Sequence, residues 1–223
     1  MTRTTNARIA GFTFLFYIAV AFPSLVLFDR ATGGEAMSAK LSTLALHASD
    51  VRLAAMLTLL GCFSALVLAV TLYALTREQD PDLALLALTC RVAEGVTGAV
   101  SIPSMLGLLA LATATGANAP DRVAAQALVT FSLEPAPIAA AFFAVGSTLF
   151  SWLLLRGRMV PVWLAWLGVL GSAVTVVVLP LQLARILTGP ITQLMWIPVA
   201  VFELVLAVWL IIKGAAMPRS RTD

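Results

Sequence analysis

Residues 81–114 read PDLALLALTCRVAEGVTGAVSIPSMLGLLALATA, an apolar run with Arg91 and Glu94 set inside it. About 20 mostly apolar residues in a helix cross the roughly 30 Å hydrocarbon core of a bilayer. From about residue 83 to 114 this stretch exceeds that length, and Pro103 is placed to kink it or end its regular part. Five further runs qualify as spans, at about 9–28, 51–75, 135–155, 160–181 and 191–212. Arg3 and Arg8 give the first run the positive start of a signal peptide, but it is too long and no A-x-A site follows, so it counts as a span.

Composition agrees. Of 223 residues, 61% are hydrophobic and 11% charged, with a mean hydropathy of +0.99. Ordinary soluble domains are about 45–50% apolar and about 25% charged. A water-soluble enzyme and a nucleic-acid binder are therefore excluded; the partner implied is the lipid bilayer. Basic residues are scattered rather than gathered into a patch for nucleic acid. Cys62 and Cys90 sit inside apolar runs, as inert packing residues do.

Short connectors at 76–82, 156–159 and 182–190 favour antiparallel neighbours. The longest connector, 29–50, has room for a short surface helix near 37–47, and 118–132 is the second longest. The expected fold is all-α: one polytopic domain, a bundle of six transmembrane helices. With six spans, one side holds Arg3, Arg8, Arg77, Arg156, Arg158, Lys213, Arg219 and Arg221, and the other Arg30, Lys40, Arg52, Arg122 and Arg185. Eight against five places both termini in the cytoplasm. Trp163 and Trp166 suit an interfacial belt near the inner end of the fifth span.

A charge at mid-bilayer costs about 2.5–3.5 kcal/mol on insertion scales and normally faces protein or water. Arg91 lies nine residues past Asp82, about 13–14 Å in at 1.5 Å per residue. Glu94 follows on the same face. Glu203 lies ten residues before Lys213, about 15 Å from the same surface. Equal depth on two helices predicts an Arg91–Glu203 ion pair, with Glu94 as a second acceptor for a guanidinium of five donors. Gly95, Gly98 and Ser101 continue that face with small residues that let helices approach closely.

The first use of such a cluster is structural, fixing register between helices, in a scaffold or regulatory protein. The alternative is a small proton- or cation-coupled transporter or channel-like protein, since a carboxylate in low dielectric can carry a proton or bind a cation. A small-molecule ligand at midplane is a third use. Glu134, Arg185, Gln182 and His47 are candidates for the rim of an outer mouth, with solvated surface as the plainer reading. Thr13, Tyr17 and Ser24 share a face of the first span and are expected to hydrogen-bond to neighbouring helices. Gly168 and Ser172 form a small-xxx-small pair, and Pro23, Pro180 and Pro198 join Pro103 as candidate bends. One His and no G-x-S-x-G, H-E-x-x-H or P-loop pattern supply neither a catalytic set, a metal site nor a cofactor. A second copy or another membrane protein is an open partner class.

Several segments carry a resemblance: Ala7-Arg8-Ile9-Ala10-Gly11, Arg91-Val92-Ala93-Glu94, Gly146-Ser147-Thr148-Leu149-Phe150, the stretch from Arg156 to Leu164, and Glu203 to Gly214 with its E-x-x-x-A-x-W-L pattern. In these the chain resembles the uncharacterised bacterial integral-membrane proteins grouped as domain of unknown function 4386. The resemblance implies the topology, is compatible with a role for the buried cluster, and brings no activity with it. Glu134-Pro135-Ala136-Pro137 departs from the pattern, at the start of the fourth span.

Overall fold

A computed structural model describes residues 1–34, 37–114, 138–189 and 191–217. Their regular structure is helical: α1 (Arg3–Ala31), α2 (Met37–Leu46), α3 (Ala48–Thr76), α4 (Pro81–Ala99), α5 (Ser101–Thr113), α6 (Ile138–Arg156), α7 (Val162–Leu183), α8 (Ile191–Leu194) and α9 (Trp196–Ile212). Among the described residues, six segments are long and apolar enough to cross a membrane: Arg3–Ala31, Ala48–Thr76, Pro81–Thr113, Ile138–Arg156, Val162–Leu183 and Thr192–Ile212. They match the six runs read from the sequence. The described part of the fourth begins at Ile138; residues 115–137, which include Glu134 and the expected start at 135, lie outside the described residues.

Local chemistry sets the helix ends. At the start of α4, Leu83 N–H donates to Asp80 Oδ1 at 3.2 Å, and Pro81 fills the first helical position, where a missing N–H costs nothing. Two prolines explain two breaks. A proline ring clashes with the carbonyl four residues earlier. Pro103 therefore ends α4 at Ala99, and Pro198 ends α8 at Leu194. The bend expected at Pro103 thus falls at Val100, between α4 and α5. Pro23 and Pro180 stay inside continuous helices.

The C-terminus of α6 closes with Met159 N–H donating to Leu154 O and Arg158 N–H to Leu155 O, both at 3.0 Å. Arg158 takes the left-handed conformation, at φ 48°, usually left to glycine. Arg185 repeats this at the end of α7, with φ 57°.

The chain divides into two compact units. The first comprises residues 1–17, 63–95 and 137–223, the second 18–62 and 96–136. In the second, Leu44, Val51, Ala54 and Leu108 are fully buried in one cluster. There Ser24 Oγ donates to Ala54 O at 2.9 Å and lies 2.9 Å from Thr58 Oγ1, as expected for its face of the first span. The larger core, around Phe14, Leu72, Ala87, Phe150 and Leu206, belongs to the first unit. Many large apolar side chains on the same helices point outward, Phe12, Val70 and Leu170 among them. Hydrocarbon is the solvent that suits them.

Close helix approach in the first unit depends on glycine. A Cβ at Gly11 would stand 2.6 Å from Ala207 O and 2.7 Å from Ile211 Cγ1. A backbone oxygen inside a helix cannot step aside. Gly11→Ala should therefore cost about 1–3 kcal/mol through overpacking, read as a lower unfolding midpoint in detergent. At Gly107 none of the described residues comes within 4 Å of the same position, so Gly107→Ala should be neutral or stabilise by about 0.5–1 kcal/mol. Equal effects of the two would contradict the close α1–α9 crossing.

Candidate buried Arg–Glu site

Arg91, Glu94 and Glu203 are 1%, 5% and 5% exposed, among the few charged side chains so enclosed. All belong to the first unit. Arg91 sits mid-way along α4, where its neighbours Ala87 and Cys90 bury the same side of the helix. One turn on, Glu94 Oε2 lies 2.9 Å from Arg91 Nη1. The i, i+3 spacing places both on one face. From α1, the Tyr17 hydroxyl donates to Glu94 Oε1 at 2.9 Å. The Tyr17 hydrogen bond expected from the sequence is thus formed, and its acceptor is the buried carboxylate.

Aromatic rings complete the enclosure. Arg91 Cζ is 4.9 Å from the centroid of the Phe143 ring and 5.9 Å from that of Tyr17. A desolvated guanidinium over a ring face gains roughly 2 kcal/mol. Gly146, on α6, makes room for the arginine stem: a Cβ there would meet Arg91 Cγ at 3.1 Å and Cδ at 3.2 Å. A tyrosine, a carboxylate, a glycine and a phenylalanine from three helices therefore converge on one cation.

Glu203, on α9, stands differently. No ion pair within 4.0 Å joins it to Arg91 among the described residues, in contrast to the direct pair expected from equal depth. Depth along the helix axis carries no information about which way a side chain faces, and Glu94 already lies on Arg91's own face. Arg91 and Glu203 instead border one small cavity of about 10 Å³ with Ser147, Ser151, Phe14 and Phe202. Glu203 Oε1 and Ser151 Oγ are buried without a hydrogen-bond partner among the described residues.

The residues proposed for an outer rim fall in different parts of the chain. His47 Nδ1 lies 3.0 Å from Asp50 Oδ2 in the second unit. Gln182 and Arg185 are exposed at the C-terminal end of α7, in the first unit. Glu134 is outside the described residues. Among the described residues, no three His, Cys, Asp or Glu side chains gather as a metal site. Gly168 is crowded by Phe202, a Cβ there standing 2.5 Å from its ring, while Ser172 is fully buried.

Phe143, Ser147 and Ser151 were not candidates in the sequence. Their spacing of four puts them on one face of α6, and two serines at that spacing in an apolar helix were the available signal. Phe143 had none, being one aromatic among many apolar neighbours.

Helices of membrane-spanning length enclosing a tyrosine-supported Arg–Glu pair define a polytopic helical membrane protein with a buried ionic cluster. The chain belongs to the family described as Domain of unknown function (DUF4386), whose model matches residues 9–214. No curated protein and no solved structure matches it.

Removing one partner of a buried ion pair typically costs about 3–5 kcal/mol, because the other charge is left uncompensated. Arg91→Met should reach that range. Arg91→Met/Glu94→Gln should lose less than the two single losses summed, since neutralising both removes the stranded charge. Tyr17→Phe should lose about 1–3 kcal/mol. Denaturant unfolding in detergent, with Glu94→Gln alone as the fourth variant, checks these values, and a double-variant loss equal to the sum of the two single losses would contradict the pairing.

Proposed function

We propose that the protein is a structural membrane component, a scaffold or regulatory partner, whose Arg91-centred cluster holds the first unit in one arrangement. The observation that carries this reading is enclosure. Arg91 is 1% exposed and engaged from α1, α4 and α6. The cavity beside it has about 10 Å³, close to the minimum for a single water. A site built to pass or release an ion needs more room and more exposure than this.

The eight-to-five bias of Lys and Arg between alternate connectors supports cytoplasmic termini, and the bacterial inner membrane is the setting that goes with it. In this reading the protein acts by binding another membrane protein or a second copy, and carries no catalytic centre. Proton- or cation-coupled transport is the second reading. It is favoured by one observation, the buried Glu203 Oε1, which has no hydrogen-bond partner among the described residues.

Flux in proteoliposomes separates the two. The structural reading expects no proton or cation flux above that of empty vesicles at any pH, and loss of folded protein in Arg91→Ala. A pH-dependent flux in the wild type that Glu203→Gln abolishes while the protein stays folded would establish transport instead.

A further inference from the structure

Four polar side chains from three helices line the cavity: Arg91 from α4, Ser147 and Ser151 from α6, and Glu203 from α9. Phe14, Leu72, Phe150 and Phe202 close it with apolar surface. Arg91 Nε and Nη2, Ser151 Oγ and Glu203 Oε1 are each buried without a hydrogen-bond partner among the described residues. Buried polar groups in folded proteins are almost always satisfied, by protein or by ordered water. Donors and an acceptor left over around one cavity therefore describe the molecule that fits it.

The charges narrow the choice. A cation would sit against the Arg91 guanidinium, and an anion against Glu203 with Glu94 nearby. A neutral molecule that both donates and accepts suits every wall. About 10 Å³ admits one such molecule of the smallest size.

We propose that this cavity is a binding site for a single water, which links Arg91 to Glu203. The water accepts from an Arg91 N–H and from the Ser151 hydroxyl, and donates to Glu203 Oε1. Three partners is the usual number for a buried water. The link joins α9 to the Arg91–Glu94–Tyr17 cluster without a direct ion pair. It couples the two residues whose equal depth is visible in the sequence. The proposal rests on the reading of the cluster as a structural hub, and it is tested by hydration rather than by stability. Flux would overturn the hub reading and leave the water in place, whereas an empty cavity in a stable protein overturns the water alone.

Infrared difference spectroscopy of membranes exchanged between H2 16O and H2 18O provides the test. An internal water shows as an isotope-shifted O–H stretch that outlasts mild drying. The wild type should show this band. Ser151→Val, which fills the cavity and removes one donor, should lose it, while Ser172→Ala, outside the cavity lining, should keep it. Absence of the band in the wild type, or its survival in Ser151→Val, would overturn the site. If Ser151→Val fails to fold, Glu203→Gln decides on the same readout. With a neutral amide as acceptor the band should move to higher frequency, and an unmoved band overturns the link.

Discussion

Burying a guanidinium inside a span that is otherwise apolar is the constraint around which the first unit is arranged. Arginine keeps its charge at any accessible pH, so neutralisation offers no relief and partners must come to it. One arrives from the same helix, Glu94, at 2.9 Å. Others come from α1 and α6, as the Tyr17 and Phe143 rings. Each partner must be held at a definite place, and that fixes how the helices carrying them approach. In hydrocarbon there is no hydrophobic gain from pressing one apolar helix against another; packing and polar contacts decide association. A single buried cation with partners on three helices therefore does more to select one arrangement than the many interchangeable leucines around it.

Close approach is the second requirement, and small residues meet it. Gly146 lets α6 lie on the arginine stem, Gly168 admits the Phe202 ring, and Gly11 meets the backbone of α9. These are three separate contacts in one unit, each removing a side chain where another must pass. The cost is the conformational freedom glycine loses in a helix, about 0.5–1 kcal/mol each relative to alanine. That cost is accepted where contact replaces it. At Gly107 no contact among the described residues does.

Much of the architecture was legible because hydropathy and helix length are bulk properties. All six spans were visible, but their ends were not all so. The first helix begins at Arg3 rather than near residue 9: hydropathy marks where hydrocarbon would lie, while a helix continues until its backbone chemistry changes. The break at Val100 follows from Pro103 only once the clash lands four residues upstream. Arg91 with Glu94 was readable because i, i+3 is fixed by the helix itself. Arg91 with Glu203 was half readable. Axial depth is encoded in residue counts, but rotation about the axis and the space between helices are set by packing, which residue counts do not contain. Phe143 was illegible for the same reason.

The arrangement around Arg91 also explains why Glu203 stands off. A guanidinium has five N–H donors in one plane and two open faces. The rings of Phe143 and Tyr17 lie within 6 Å of its centre, and Glu94 takes the edge at Nη1. What is left is the edge carrying Nε and Nη2. That edge belongs to the side chain lining the cavity with Ser147, Ser151 and Glu203. A larger residue at 147 or 151 would close the gap with apolar surface and strand both the donors and the carboxylate. Serine instead keeps the wall polar and leaves a gap of one molecule's size. The same economy of small residues that lets the helices touch also keeps them from touching at this one place.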